Sequence, residues 1–97
     1  MKLKKTPNKL LGVERTLNVY TNSDNEPVDE KNVDIIPLST LKKIFPPKED
    51  DPDLYDGYIL DAKQLQEINN YIQAKIQPNF EQYFYVLECS GIYDNKI

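Results

Sequence analysis

The chain predicts a small α+β domain: a mixed β-sheet of three or four strands with two helices packed on one face, in the order β-α-β-α-β. Three observations carry that expectation. Residues 13–20 and 80–89 alternate side chains with the period of two that marks a strand. Residues 38–45 and 62–77 repeat apolar side chains at helical spacing. Ninety-seven residues suffice for one modest core, and no internal repeat or second composition block divides them.

Taken in order, residues 1–12 hold Pro7, Gly12 and four lysines without periodicity, and read as a flexible basic arm ahead of a single domain at 13–97. From Val13 onward, Val13, Arg15, Leu17 and Val19 share one side of a strand; Arg15 breaks the apolar face, which places it near a strand end. Residues 21–32 are polar and rich in turn formers, and read as a loop. The apolar run 33–36 stops at Pro37. Leu38, Leu41, Ile44 and Phe45 then line one face of a short helix, opened by Pro37 or Leu38 and ended by Pro46-Pro47.

Residues 58–60 form a short second strand. Asp61 stands where an N-cap belongs, and Gln64 three residues on completes a capping-box pattern. The helix that follows is expected to run from Ala62 to about Gln77, with Leu65, Ile68, Tyr71, Ile72 and Ile76 inward and Pro78-Asn79 closing it. The last strand, 80–89, is apolar on both faces and rich in aromatic residues, as a central strand would be. The helix is expected to lie on it, burying Leu65, Ile68, Ile72, Phe84 and Val86. Were strands 58–60 and 80–89 parallel, their crossover would be right-handed.

Charge narrows the function. The formal net charge is −4, but residues 1–15 net +4 and the remainder −8. An acidic body repels phosphates, so nucleic acid is not expected as a direct partner, whereas a basic protein surface or cleft is. There is no histidine and a single cysteine, Cys89, which leaves no intramolecular disulfide, no zinc ligand set and no histidine base. Cys89 on an aromatic strand reads as a small buried hydrophobe. No secretory signal and no stretch of about 18 apolar residues is visible, so a cytoplasmic protein without membrane contact or cofactor is expected.

The stretch that invites a function is 49–60, Glu-Asp-Asp-Pro-Asp-Leu-Tyr-Asp-Gly-Tyr-Ile-Leu. Glu49, Asp50, Asp51, Asp53 and Asp56 crowd together, with Tyr55 and Tyr58 among them. A core does not absorb that many like charges, so the segment is expected in water or against a basic partner. It fails as a calcium loop: counting from Asp51, the position that needs glycine is Asp56 and the one that needs glutamate is Ala62. Paired carboxylates for glycoside hydrolysis need a cleft that so small a chain has little material to build. No enzyme activity is expected. A binding surface is, with Glu49, Asp50, Asp51, Asp53 and Asp56 supplying charge and Tyr55 and Tyr58 supplying anchors. The bland alternative is a solvated loop.

The segment 50–58, followed by a helix and Gln-Tyr-Phe-Tyr-Val-Leu-Glu-Cys at 82–89, resembles a family of small bacterial proteins of unassigned activity. Its pattern is Asp-Pro-x-Tyr-Asp-x-Tyr before a helix, and a strand ending Tyr-Phe-x-Glu-Cys. Here Leu54 is an insertion between Asp53 and Tyr55, and the closing strand has Tyr-Val-Leu where the pattern is shorter. In size and charge such proteins resemble immunity proteins of contact-dependent and polymorphic toxin systems. The resemblance implies a bacterial toxin inhibitor whose partner is a cognate toxin domain with a basic cleft, in all expectation a nuclease. A small regulatory or structural subunit with no toxin partner is the alternative.

Overall fold

The computed structural model describes residues 10–93. Six elements follow one another: β1 (Leu10–Thr21), β2 (Pro27–Asn32), α1 (Leu38–Ile44), β3 (Tyr58–Ile59), α2 (Ala62–Asn69) and β4 (Tyr83–Tyr93). The order is therefore β-β-α-β-α-β. The four strands form one sheet, β2-β1-β4-β3, and every neighbouring pair is antiparallel. The α+β class and the two helices match expectation; the mixed sheet and the five-element order do not. The question of crossover handedness does not arise, because β3 and β4 run in opposite directions.

The missed element is β2, inside the segment read as a loop. Its sequence, Pro-Val-Asp-Glu-Lys-Asn, has no apolar face to announce it. It is an edge strand held by backbone pairing to β1, and Pro27 and the charges at Asp29, Glu30 and Lys31 are what an unpaired edge tolerates. Asn25, with φ of 58°, makes the turn between β1 and β2. β1 itself starts at Leu10, inside the segment read as an arm; residues 1–9, to which the rest of that reading applies, lie outside the described residues.

β1 and β4 pair along nearly their whole length, with Leu17 opposite Leu87 and Val19 opposite Tyr85. Those four side chains face the helices. They form one core with Leu41 and Ile44 of α1, Leu65 and Ile68 of α2, and Val33, Phe45, Leu54 and Leu60 from the connections. The expectation that Phe84 and Val86 lie under α2 is wrong by one residue of alternation. Tyr85 and Leu87 are the buried pair there, while Phe84 and Val86 point to the opposite face.

The capping box forms as read: Gln64 N–H donates to Asp61 Oδ1 at 2.8 Å and Asp61 N–H to Gln64 Oε1 at 2.9 Å. The Gln64 side chain also donates to the Ile44 carbonyl at 3.0 Å, so one residue starts α2 and satisfies the end of α1. α2 stops at Asn69, eight residues short of expectation. The Asn69 amide donates to the Ile76 carbonyl at 2.8 Å and accepts from Ile76 N–H at 2.9 Å, closing residues 70–76 into a loop. Lys75 Nζ donates to the carbonyls of Asn69 and Ile72 at 2.8 and 3.0 Å, which covers the helix end. Ile72 and Ile76 stay buried without helix, whereas Tyr71 is exposed. An amide side chain that binds backbone competes with helix, and here it wins.

Candidate partner-binding loop

Residues 45–58 run from the end of α1 to β3, and the acidic segment is their middle. Phe45 is buried at one end and Tyr58 enters β3 at the other; their rings meet edge to face at 6.1 Å. Between them Asp51 turns inward and is 5% exposed. Its Oδ1 accepts from Tyr55 N–H at 2.8 Å, and its Oδ2 accepts from Asp56 N–H at 2.9 Å and from the Tyr58 hydroxyl at 2.8 Å. Burial by itself raises the Asp51 pKa. The two backbone N–H groups, the Tyr58 hydroxyl and the Lys48 charge outweigh it and hold the carboxyl below its ordinary value. The Tyr58 hydroxyl is pushed up, by burial first and by Asp51, against the Lys48 N–H that donates to it at 3.3 Å.

Leu54 is the second internal anchor. It is fully buried and adopts φ of 58°, a left-handed conformation that leucine rarely takes. That backbone turn delivers the successive N–H groups of Tyr55 and Asp56 to Asp51, while the side chain enters the core. Leu54 is thus the loop's apolar plug.

Arg15 is the third anchor, and it comes from the sheet. It lies within β1 opposite Cys89, not near a strand end, and is 9% exposed. Its Nη2 donates to the Asp53 carbonyl at 2.7 Å, and the guanidinium carbon stands 5.7 Å from the centroid of the Tyr55 ring. Its Nε is buried without a partner among the described residues. Its backbone N–H donates to Asp34 Oδ1 at 2.9 Å. Burial pushes the half-buried Cys89 thiol up, with the Arg15 charge opposing.

The remaining carboxylates face outward with different company. Asp53 pairs with Lys42 of α1 at 3.1 Å and Asp56 with Lys48 at 3.1 Å. Lys48 Nζ also stands 5.1 Å above the Tyr58 ring. Glu49 and Asp50 are exposed, and no ion pair forms on either among the described residues. Tyr55 is 55% exposed. The seven residues singled out in the sequence therefore divide: Glu49, Asp50, Asp53, Tyr55 and Asp56 reach the surface, while Asp51 and Tyr58 brace the loop from inside. The expectation that the whole segment sits in water or against a basic partner fails at Asp51, where three donors of the chain itself replace the water it gives up. Sequence reasoning did not attach Arg15, Lys42 or Lys48 to this loop and gave Leu54, which lies within it, no anchoring role. The break that Arg15 makes in an apolar strand face was the visible signal for one of them.

Among the described residues no group of three or more His, Cys, Asp or Glu is placed to hold a metal ion. No helix there is long and apolar enough to cross a membrane.

Fold and loop together define a small antiparallel α+β domain that displays a braced acidic turn. The chain belongs to the DUF7683 family, a domain of unknown function whose family model matches residues 14–88. Neither the comparison with curated proteins nor that with solved structures returns a match.

Proposed function

We propose that this chain is an immunity protein: a cytoplasmic, non-catalytic domain that binds a cognate bacterial toxin domain, a nuclease with a basic cleft, through its 49–58 loop. One observation carries the reading. Asp51, Leu54 and Arg15 hold the loop from inside while Glu49, Asp50, Asp56 and Tyr55 stay at its surface. A loop fixed before association loses little conformational entropy on binding. In the proposal the outward carboxylates steer the encounter and occupy sites where phosphates would lie, and Tyr55 is the contact that is buried. Asp51 and Tyr58, first read as contacts, become bracing residues. The acidic balance of the body supports a basic partner over a nucleic acid.

The test is a search for a large secreted protein with a variable C-terminal domain encoded immediately upstream, co-expression with that domain, and purification of the pair. Restored growth and a stable complex are the expected results. Growth arrest despite folded protein, with no complex, would end the toxin reading; capture of a neighbouring metabolic enzyme through the same loop would replace it with the regulatory-subunit reading.

A further inference from the structure

Among the described residues, the second face of the sheet carries no helix. Strand alternation puts Tyr20 of β1 and Phe84 and Val86 of β4 on it, and register brings Ile59 beside Val86. Tyr20 stacks on Phe84 with ring centroids 5.3 Å apart, and its hydroxyl donates to Glu88 Oε2 at 2.6 Å. Glu88 lies opposite Thr16, two rows along from the Tyr20–Phe84 pair. The Tyr20 side chain reaches it across the Asn18–Val86 row, and Val86 is only 8% exposed without belonging to the main core. Ile59, on the edge strand next to it, is 69% exposed. The result is an ordered apolar patch outside the core.

Its rim has one sign. The outward positions of the strands on this face carry Glu14, Glu30 and Glu88 and, among the described residues, no lysine or arginine. Lys31 points to the helix side, in register with Leu17.

We infer that this open sheet face is a second interaction surface, and that its occupant is a positively charged amphipathic helix of another protein. Four strands span about 14 Å, which suits one helix of about 10–12 Å diameter. The apolar patch takes the helix's apolar stripe, and Glu30 and Glu88 face the cations on either side of it. A second copy docked through the same face would be isologous and would bring two acidic rims together, so charge disfavours it. The inference does not rest on the toxin reading, since the patch lies on the opposite face of β3 from the Tyr58 ring that braces the acidic loop.

The experiment titrates isotope-labelled full-length protein with a synthetic helical peptide of leucine on one stripe and lysine elsewhere, and with its glutamate counterpart. The lysine peptide is expected to shift the amide signals of Ile59, Phe84, Val86 and Tyr20, and the glutamate peptide to leave them in place. Ile59→Lys should weaken the lysine peptide at least tenfold with an unchanged circular dichroism spectrum, because the side chain is exposed. A variant with Glu49, Asp50 and Asp56 neutralised should keep the shifts. Shifts confined to residues 49–56, or wild-type affinity in Ile59→Lys, would overturn the inference. So would peptide-free shifts of the same residues that grow with protein concentration alongside a dimer in sedimentation, which would give the face to a second copy.

Discussion

Tyr58 donates its hydroxyl hydrogen bond to the Asp51 carboxylate at 2.8 Å, and these two residues are the opening Asp and the closing Tyr of the Asp-Pro…Tyr-Asp-Gly-Tyr segment. Its ends are thus bonded to one another. Asp51 also gathers the N–H groups of Tyr55 and Asp56. In a surface that repels itself by charge, one carboxylate is withdrawn to the inside and used as the hub. The segment reads as a composition in sequence and as a closed turn in space.

Adjacent aspartates should therefore respond differently to the same change. Asp51→Asn removes the charge from three hydrogen bonds and should lower the melting temperature and speed amide exchange at Tyr55 and Asp56. Asp50→Asn, on an exposed side chain, should leave both measurements where they were. Equal behaviour of the two variants would contradict the hub.

The pH dependence follows with a definite sign. Asp51 has a folded pKa below its ordinary 3.8. Its contribution is then complete above the unfolded value and is lost as pH falls through the folded one. Melting curves between neutral and strongly acidic pH should show wild type losing stability in that acid window. Asp51→Asn should lose less there, its curve converging on the wild-type curve as pH drops.

Truncation of the apolar anchors should be costly. Leu54→Ala and Ile68→Ala each remove a fully buried side chain and should destabilise by about 2–5 kcal/mol in chemical denaturation. Leu54→Gly separates two effects at one site: it eases the left-handed backbone but still vacates the core, so it should be less destabilising than its lost volume implies. Values near zero for Ile68→Ala would refute the packing of α2 on the sheet.

On the binding side, charge and contact should separate kinetically. Neutralising Glu49, Asp50 and Asp56 together should slow association with the proposed toxin partner and flatten its salt dependence, with the fold intact. Tyr55→Ala should act mainly on dissociation, by about 2 kcal/mol for a buried anchor. Stopped-flow measurements at two salt concentrations distinguish these, and unchanged kinetics in both variants would place the partner elsewhere.

What the sequence by itself determined were the features that local chemistry imposes. The capping box at Asp61 and Gln64 needs only a carboxylate and an amide three residues apart. The alternation along β1 and β4 sorts side chains to two faces whatever lies on either side. The acidic run was visible as a run. Tertiary structure decided the rest, because each remaining choice depended on partners distant in the chain. β2 exists through its pairing with β1, not through any pattern of its own. Which face of β4 meets the helices follows from where Leu17 and Val19 lie across the sheet. α2 ends where Asn69 finds Ile76, and Asp51 turns inward because Tyr58 and two N–H groups await it there. Arg15, thirty-eight residues from Asp53, ties the strand to the loop. A buried polar group is stable only beside its partners, and those partners are brought together by folding.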